Sequence, residues 1–204
     1  MWDAKRWAED LTAEVERRAK RTVRAMYAQA AGEELDEDKA KALVKHALRS
    51  ESHKAICAMV ALARSEPVIP VTVDKLDRNP WLLNVRNGTL DLRTGELRPH
   101  RREDLLTRLA PVDYDPDATC PTWLAFLDRI TAGNQNLIQF LQRAIGYTLT
   151  GSARERVLFM LHGGGANGKS TLLETISGLL GDYAKSTARR RCWARRTTAG
   201  SRTI

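Results

Sequence analysis

Only three cysteines, Cys57, Cys120 and Cys192, are spread over the 204 residues, and none falls in a CxxC pair or in the Cys/His spacing of a zinc site. Their scarcity excludes a disulfide-framed secreted domain and a zinc module, and it points to reduced thiols in the cytoplasm. The four histidines, His46, His53, His100 and His162, are as scattered, and we read them as surface or loop residues, not metal ligands. No apolar run approaches the roughly 20 residues needed to span a bilayer, and the charged N-terminus lacks the apolar core of a signal peptide. No membrane partner is expected. After Asp182 no carboxylate side chain occurs at all.

Against these absences stands one motif. Gly163, Gly164, Gly165, Ala166, Asn167, Gly168, Lys169, Ser170 and Thr171 satisfy G-x-x-x-x-G-K-[ST], the pattern of a phosphate-binding (Walker A) loop. The apolar run at 157–161 before it suits a buried strand, and Leu172, Leu173, Ile176, Leu179 and Leu180 after it recur with helical spacing. The motif therefore sits between strand and helix. Glycines let successive N–H groups turn toward one anion, and a helix beginning near Gly168 adds its positive dipole end there. The expected ligands are ATP and Mg²⁺: Lys169 reaching the β and γ phosphates, Ser170 ligating the metal, and Thr171 bonding a nearby phosphate.

A working P-loop NTPase also needs a strand ending in an acidic residue to hold Mg²⁺, and an arginine to stabilise the transferred charge. Neither has a counterpart after Thr171. The expectation is nucleotide binding with little or no hydrolysis by this chain. The tail suggests why: residues 188–204 read ARRRCWARRTTAGSRTI, without hydrophobic periodicity. One back-translation of this segment, read from its third base, gives AETLLGETDDGGIPND, an ordinary protein stretch, so the tail reads as out of frame. The alternative is a disordered basic tail that binds nucleic acid. The choice matters for the net charge of +8, because six arginines lie in that tail; without them 27 basic residues face 25 acids, a charge of +2. The basic balance is therefore weak support for nucleic-acid binding.

The remainder reads as an α+β domain. Residues 2–66 look helical, with Trp7, Leu11, Val15 and Val23 near helical spacing, then two further helices, the last capped by Ser50 or Ser52. Arg17, Arg18, Lys20, Arg21 and Arg24 form a basic cluster that we read as a solvated face balanced by Glu14 and Glu16, in preference to a DNA contact. Residues 81–114 read as a small antiparallel β meander, with Asn87-Gly88 as a type I′ hairpin turn and Thr94-Gly95 as the next turn. Asp91, Glu96, Glu103 and Asp104 there read as turn, edge and surface acids. Residues 121–149 read as a helical pair opened by Pro121 and broken at Gly133-Asn134, its aromatic and aliphatic stripe read as core and not as a base-stacking surface. The domains expected are 1–150, an incomplete α/β P-loop start (strand, loop, helix) at 151–187, and the tail at 188–204. Gly181 is placed to end the last helix. A lone strand and helix cannot bury both faces of an α/β sheet, so the P-loop part should be the less stable.

The runs LDRNPWLLNVRNGTLDLRTGELRPH, DLLTRLAPVDYDPDATCPTW, FLQRAIGYTLTG and GGGANGKST together resemble the phage and plasmid primase-helicase family, in which a poxvirus-type helicase-adjacent domain leads into a superfamily 3 helicase core. The resemblance covers nearly all of 2–187, and Asn167 fits that superfamily's form of the loop. It implies a parent protein that is a ring-forming, ATP-driven helicase unwinding DNA at a phage or plasmid origin, often behind a primase. It implies for this chain a fragment, with Met1 as an internal start, not expected to form the ring or to work as a motor. Two other functions stay open: a non-catalytic accessory module that binds DNA or caps helicase subunits, and a small P-loop kinase or switch.

Overall fold

The computed structural model describes residues 1–32, 36–67 and 69–186. The tail at 188–204, with the frameshift reading attached to it, lies outside the described residues. The chain divides into two compact units, one of residues 1–3 and 7–78, the other of residues 4–6 and 79 onward.

The first unit is helical: α1 (Glu14–Ala30), α2 (Glu37–Ser50) and α3 (His53–Ala63). Ala19 and Val23, one turn apart on α1, are buried with Ala47 of α2 and Ile56 of α3, and Met26, Tyr27, Met59 and Val60 pack around them. The first helix starts later than its apolar spacing suggested. Trp7 instead pairs with Trp2 in an isolated antiparallel bridge, and Leu11 is 84% exposed. The reason lies in Asp10, whose carboxylate accepts the backbone N–H groups of Glu14 at 3.0 Å and Val15 at 2.9 Å. That satisfies first-turn donors a helix cannot satisfy itself. These bonds, Val15 first, lower the Asp10 pKa from 3.8 to about 2. Asp36 and Ser52 cap α2 and α3 in the same way, through Lys39 N and Ala55 N. The basic cluster on α1 behaves as a solvated face, with Arg17, Arg18 and Arg21 all paired to Glu14.

In the second unit β1 (Leu82–Val85), β2 (Gly88–Asp91) and β3 (Leu97–Arg98) form an antiparallel sheet in the order β1-β2-β3. The meander is as expected, but its first turn is not. Val85 pairs with Gly88, so the two turn residues are Arg86 and Asn87, and neither has the positive φ that a type I′ turn demands. Asn87 serves otherwise: its side chain donates to Tyr114 O at 2.8 Å and accepts from Tyr114 N at 3.0 Å, tying the turn to a neighbouring segment. Gly88 is a strand residue whose missing Cβ makes room for β3, since a Cβ there would lie 2.6 Å from Arg98 O. Asp104 is more than a surface acid, because it holds Arg98 in a bidentate pair at 2.8 and 2.9 Å.

Leu83, Val85, Leu90 and Ala110 bury one face of this sheet. On the other, Asn84 is wholly buried and fully bonded. Its amide donates to Lys5 O and Arg108 O, each at 3.0 Å, while its Oδ1 accepts from Thr89 Oγ1 at 3.2 Å and lies 2.8 Å from His100 Nδ1. Three helices complete the unit: α4 (Pro121–Ile130), α5 (Gln135–Leu149) and α6 (Lys169–Leu180). Pro121 opens α4 and Asn134 caps α5 through Leu137 N. Leu127, Ile138 and Leu172, one from each helix, form their shared core. The fold class among the described residues is therefore α+β, six helices with one three-stranded sheet.

Residues 157–161, expected as a buried strand, belong to no strand and are mostly open to solvent. Their exposures of 55, 84, 40, 84 and 40% alternate as a strand's would, with Phe159 edge-on to Phe140 at 6.2 Å between ring centroids. The run thus keeps a strand's period without its ladder. Among the described residues the only strands are β1, β2 and β3, and none pairs with this segment, so nothing bonds its backbone or covers its outer face.

Candidate phosphate-binding loop

Six of the nine motif residues, Gly163 to Gly168, fall in the connection before α6, and Lys169, Ser170 and Thr171 open that helix. Gly168 is the residue before the helix, with φ 82° and ψ 1°, and no side chain caps the helix. The first N–H groups of such a helix have no intrahelical partner and point along the dipole. Gly163 and Ala166 also have positive φ, at 149° and 56°.

Lys169, the first residue of α6, turns its side chain back over the loop. Its ammonium donates to Gly163 O and Gly164 O, both at 3.0 Å, and to Asn167 Oδ1. The loop thereby brings Gly163, Gly164, Asn167 and Lys169 together around one positive charge. Ser170 and Thr171 follow as exposed residues in the first turn of α6.

The position of the loop is set from below by α4. A Cβ on Gly168 would lie 2.6 Å from Ile130 Cγ2 and 3.3 Å from the Phe126 ring. Only glycine fits, both for its left-handed backbone and for this close approach. The reading of α4 as simple core thus missed its part in supporting the loop. The signal available was the spacing of Trp123, Phe126 and Arg129, three residues apart on a helix packed close to the motif.

No group of three or more His, Cys, Asp or Glu suited to a metal occurs among the described residues. The loop offers the donors an anion would need: backbone N–H groups, one ammonium and two hydroxyls. These residues fit a polyphosphate. Ser170 offers the single hydroxyl that a Mg²⁺ ion accompanying such a polyphosphate would need.

Residues 1–132 match the family described as D5 N terminal like. The chain belongs to that family. This bears out membership of the primase-helicase group read from the sequence runs above. The D5 N-terminal-like match takes in α1, α2, α3, the sheet and α4. Over 120 residues the chain is also 29% identical to a candidate helicase, L207/L206, of Acanthamoeba polyphaga mimivirus; the alignment covers 57% of this chain and 12% of that protein. The D5 N-terminal-like chain thus spans only about an eighth of its relative's length. No helix among its described residues is long and apolar enough to cross a membrane.

Proposed function

We propose that this chain is the helicase-adjacent part of a viral-type DNA replication helicase, and that its residues 163–171 bind the triphosphate of ATP. The observation that carries the second half is the placing of Lys169. Its ammonium hovers over the loop on neutral carbonyl acceptors, next to a helix N-terminus without a side-chain cap. A phosphate offers a full negative charge where a carbonyl offers a dipole, and charge-assisted bonds are roughly twice as strong. Exchange of these carbonyls for phosphate oxygens is therefore favourable. Mg²⁺ bound with the nucleotide would supply charge neutralisation between the phosphates, with Ser170 as its ligand from this chain.

Unwinding of DNA and assembly into a ring are proposed for the longer protein on the strength of its family, and are not expected of these residues alone. For this chain we expect binding without sustained turnover. Calorimetric titration with tripolyphosphate and with ATP, each with Mg²⁺, tests the reading. Both should bind, and Lys169→Ala should abolish binding of both. Absence of binding, or binding indifferent to Lys169→Ala, would overturn it, and steady ATP turnover lost on Lys169→Ala would overturn the expectation of a non-catalytic site.

A further inference from the structure

Two clefts flank the loop. One, of about 640 Å³, is lined by Asn167 and Lys169 and by apolar residues of α5, α6 and 157–161. The other, of about 910 Å³, has Thr171 and Thr175 on one side and Cys120, Trp123, Phe126 and Arg129 on the other. Both volumes fall within the range of small-molecule sites.

We propose that the second cleft receives the nucleoside end of the nucleotide, with Trp123 as its stacking platform. This rests on the reading of 163–171 as a triphosphate site, and it extends that reading from the phosphates to the base. Direction is the first argument. Lys169 and Thr171 are two residues apart on a helix of 3.6 residues per turn, so their side chains leave it roughly 200° apart. The lysine of such a loop engages the β and γ phosphates, which assigns the terminal phosphate to the Lys169 side. The nucleoside end of the chain must then leave on the other side, where Thr171 lines the cleft.

The surface met there is suited to a base. Phe126 lies close to the loop, where a Cβ on Gly168 would come within 3.3 Å of its ring, and it stacks on Trp123, with ring centroids 5.5 Å apart and planes inclined by 29°. Both rings line the cleft, and each is only half-buried, packed on the Leu127–Ile138–Leu172 core by one side. Arg129 adds a cation 6.0 Å from the Phe126 centroid. Thr171 and Thr175, one helical turn apart on one face, provide hydroxyls opposite the rings, within the same cleft as a sugar would be.

The test separates base from phosphate. ATP and tripolyphosphate are titrated, with Mg²⁺, into the whole chain and into Trp123→Ala, Trp123→Phe and Thr175→Trp. Trp123→Ala should weaken ATP at least about fivefold, the lower end of what one base–aromatic stack contributes, and leave tripolyphosphate unchanged; Trp123→Phe should restore most of the loss. Thr175→Trp, at an exposed position, should obstruct the cleft and weaken ATP alone, and it decides the matter if Trp123→Ala does not fold. If the variants weaken both ligands equally, or neither, the nucleoside assignment falls while the phosphate reading stands. If the unaltered chain fails to bind tripolyphosphate, the phosphate reading has failed and the assignment falls with it.

Discussion

Gly168 is where the loop's two requirements meet, so Gly168→Ala is the sharpest perturbation of the site. At φ 82° an L-residue other than glycine costs roughly 1–2 kcal/mol. The new methyl would also lie 2.6 Å from Ile130 Cγ2, well inside contact distance, and relieving such overpacking costs about 1–3 kcal/mol. The sum is about 2–5 kcal/mol, carried by the α4–α6 contact. Amide hydrogen exchange along α6 reads it directly, because opening free energies are residue-resolved. Exchange should accelerate at least about thirtyfold, and tripolyphosphate binding should be lost. Ile130→Ala removes the overlapping methyl and leaves the backbone strain in place. Combined with Gly168→Ala it should show a favourable coupling of about 1–3 kcal/mol. Unchanged exchange in Gly168→Ala, or no coupling between the two sites, would refute the reasoning that α4 positions the loop.

Two further predictions concern segments away from that contact. The Asp10 carboxyl, observed by NMR titration, should ionise near pH 2, against an ordinary 3.8. Because the folded value is depressed, its contribution to α1 is fully present above pH 3.8 and is lost as pH falls through about 2; a first turn of α1 that frays no more at pH 2 than at pH 5 would contradict the capping role. Hydrogen exchange at 157–161 should be much faster than in α5, since these residues lie in no ladder, and protection equal to that of α5 would mean that the segment finds a partner in solution.

Where the sequence was legible, local chemistry decided the outcome. Pro121, Asn134 and Gly181 mark helix ends because their backbone preferences, or for Asn134 its side-chain cap on Leu137 N, act within one turn. The failures came where a distant partner intervened. Asn87-Gly88 has the composition of a type I′ turn, yet Tyr114 claims the Asn87 side chain and β3 claims the space at Gly88. Trp7 and Leu11 mislead for a local reason instead: they carry helical spacing, yet the nearby Asp10 fixes the helix start beyond them. At 157–161 the apolar run predicts burial, but a strand's burial depends on neighbours that its own residues do not encode. That Trp123 and Phe126 line a cleft beside the loop likewise emerges only when α4 and α6 pack.

The hydrogen bonds of Asn84 carry a lesson for anyone dividing this protein. Its amide spans residues 79 positions apart in sequence, joining β1 to Lys5, and its backbone N–H donates to the hydroxyl of Tyr183, 99 positions away. Lys5 belongs to the same unit as the sheet, whereas residues 7–78 do not. A cut placed at residue 79, where the contacts thin out, would look like a clean excision and would strip a piece from the very unit it was meant to isolate. The stub at 4–6 acts as a latch supplied from far upstream. Genetic dissection of this region should carry it along, joined by a linker in place of 7–78, or expect an orphaned amide at the centre of the sheet.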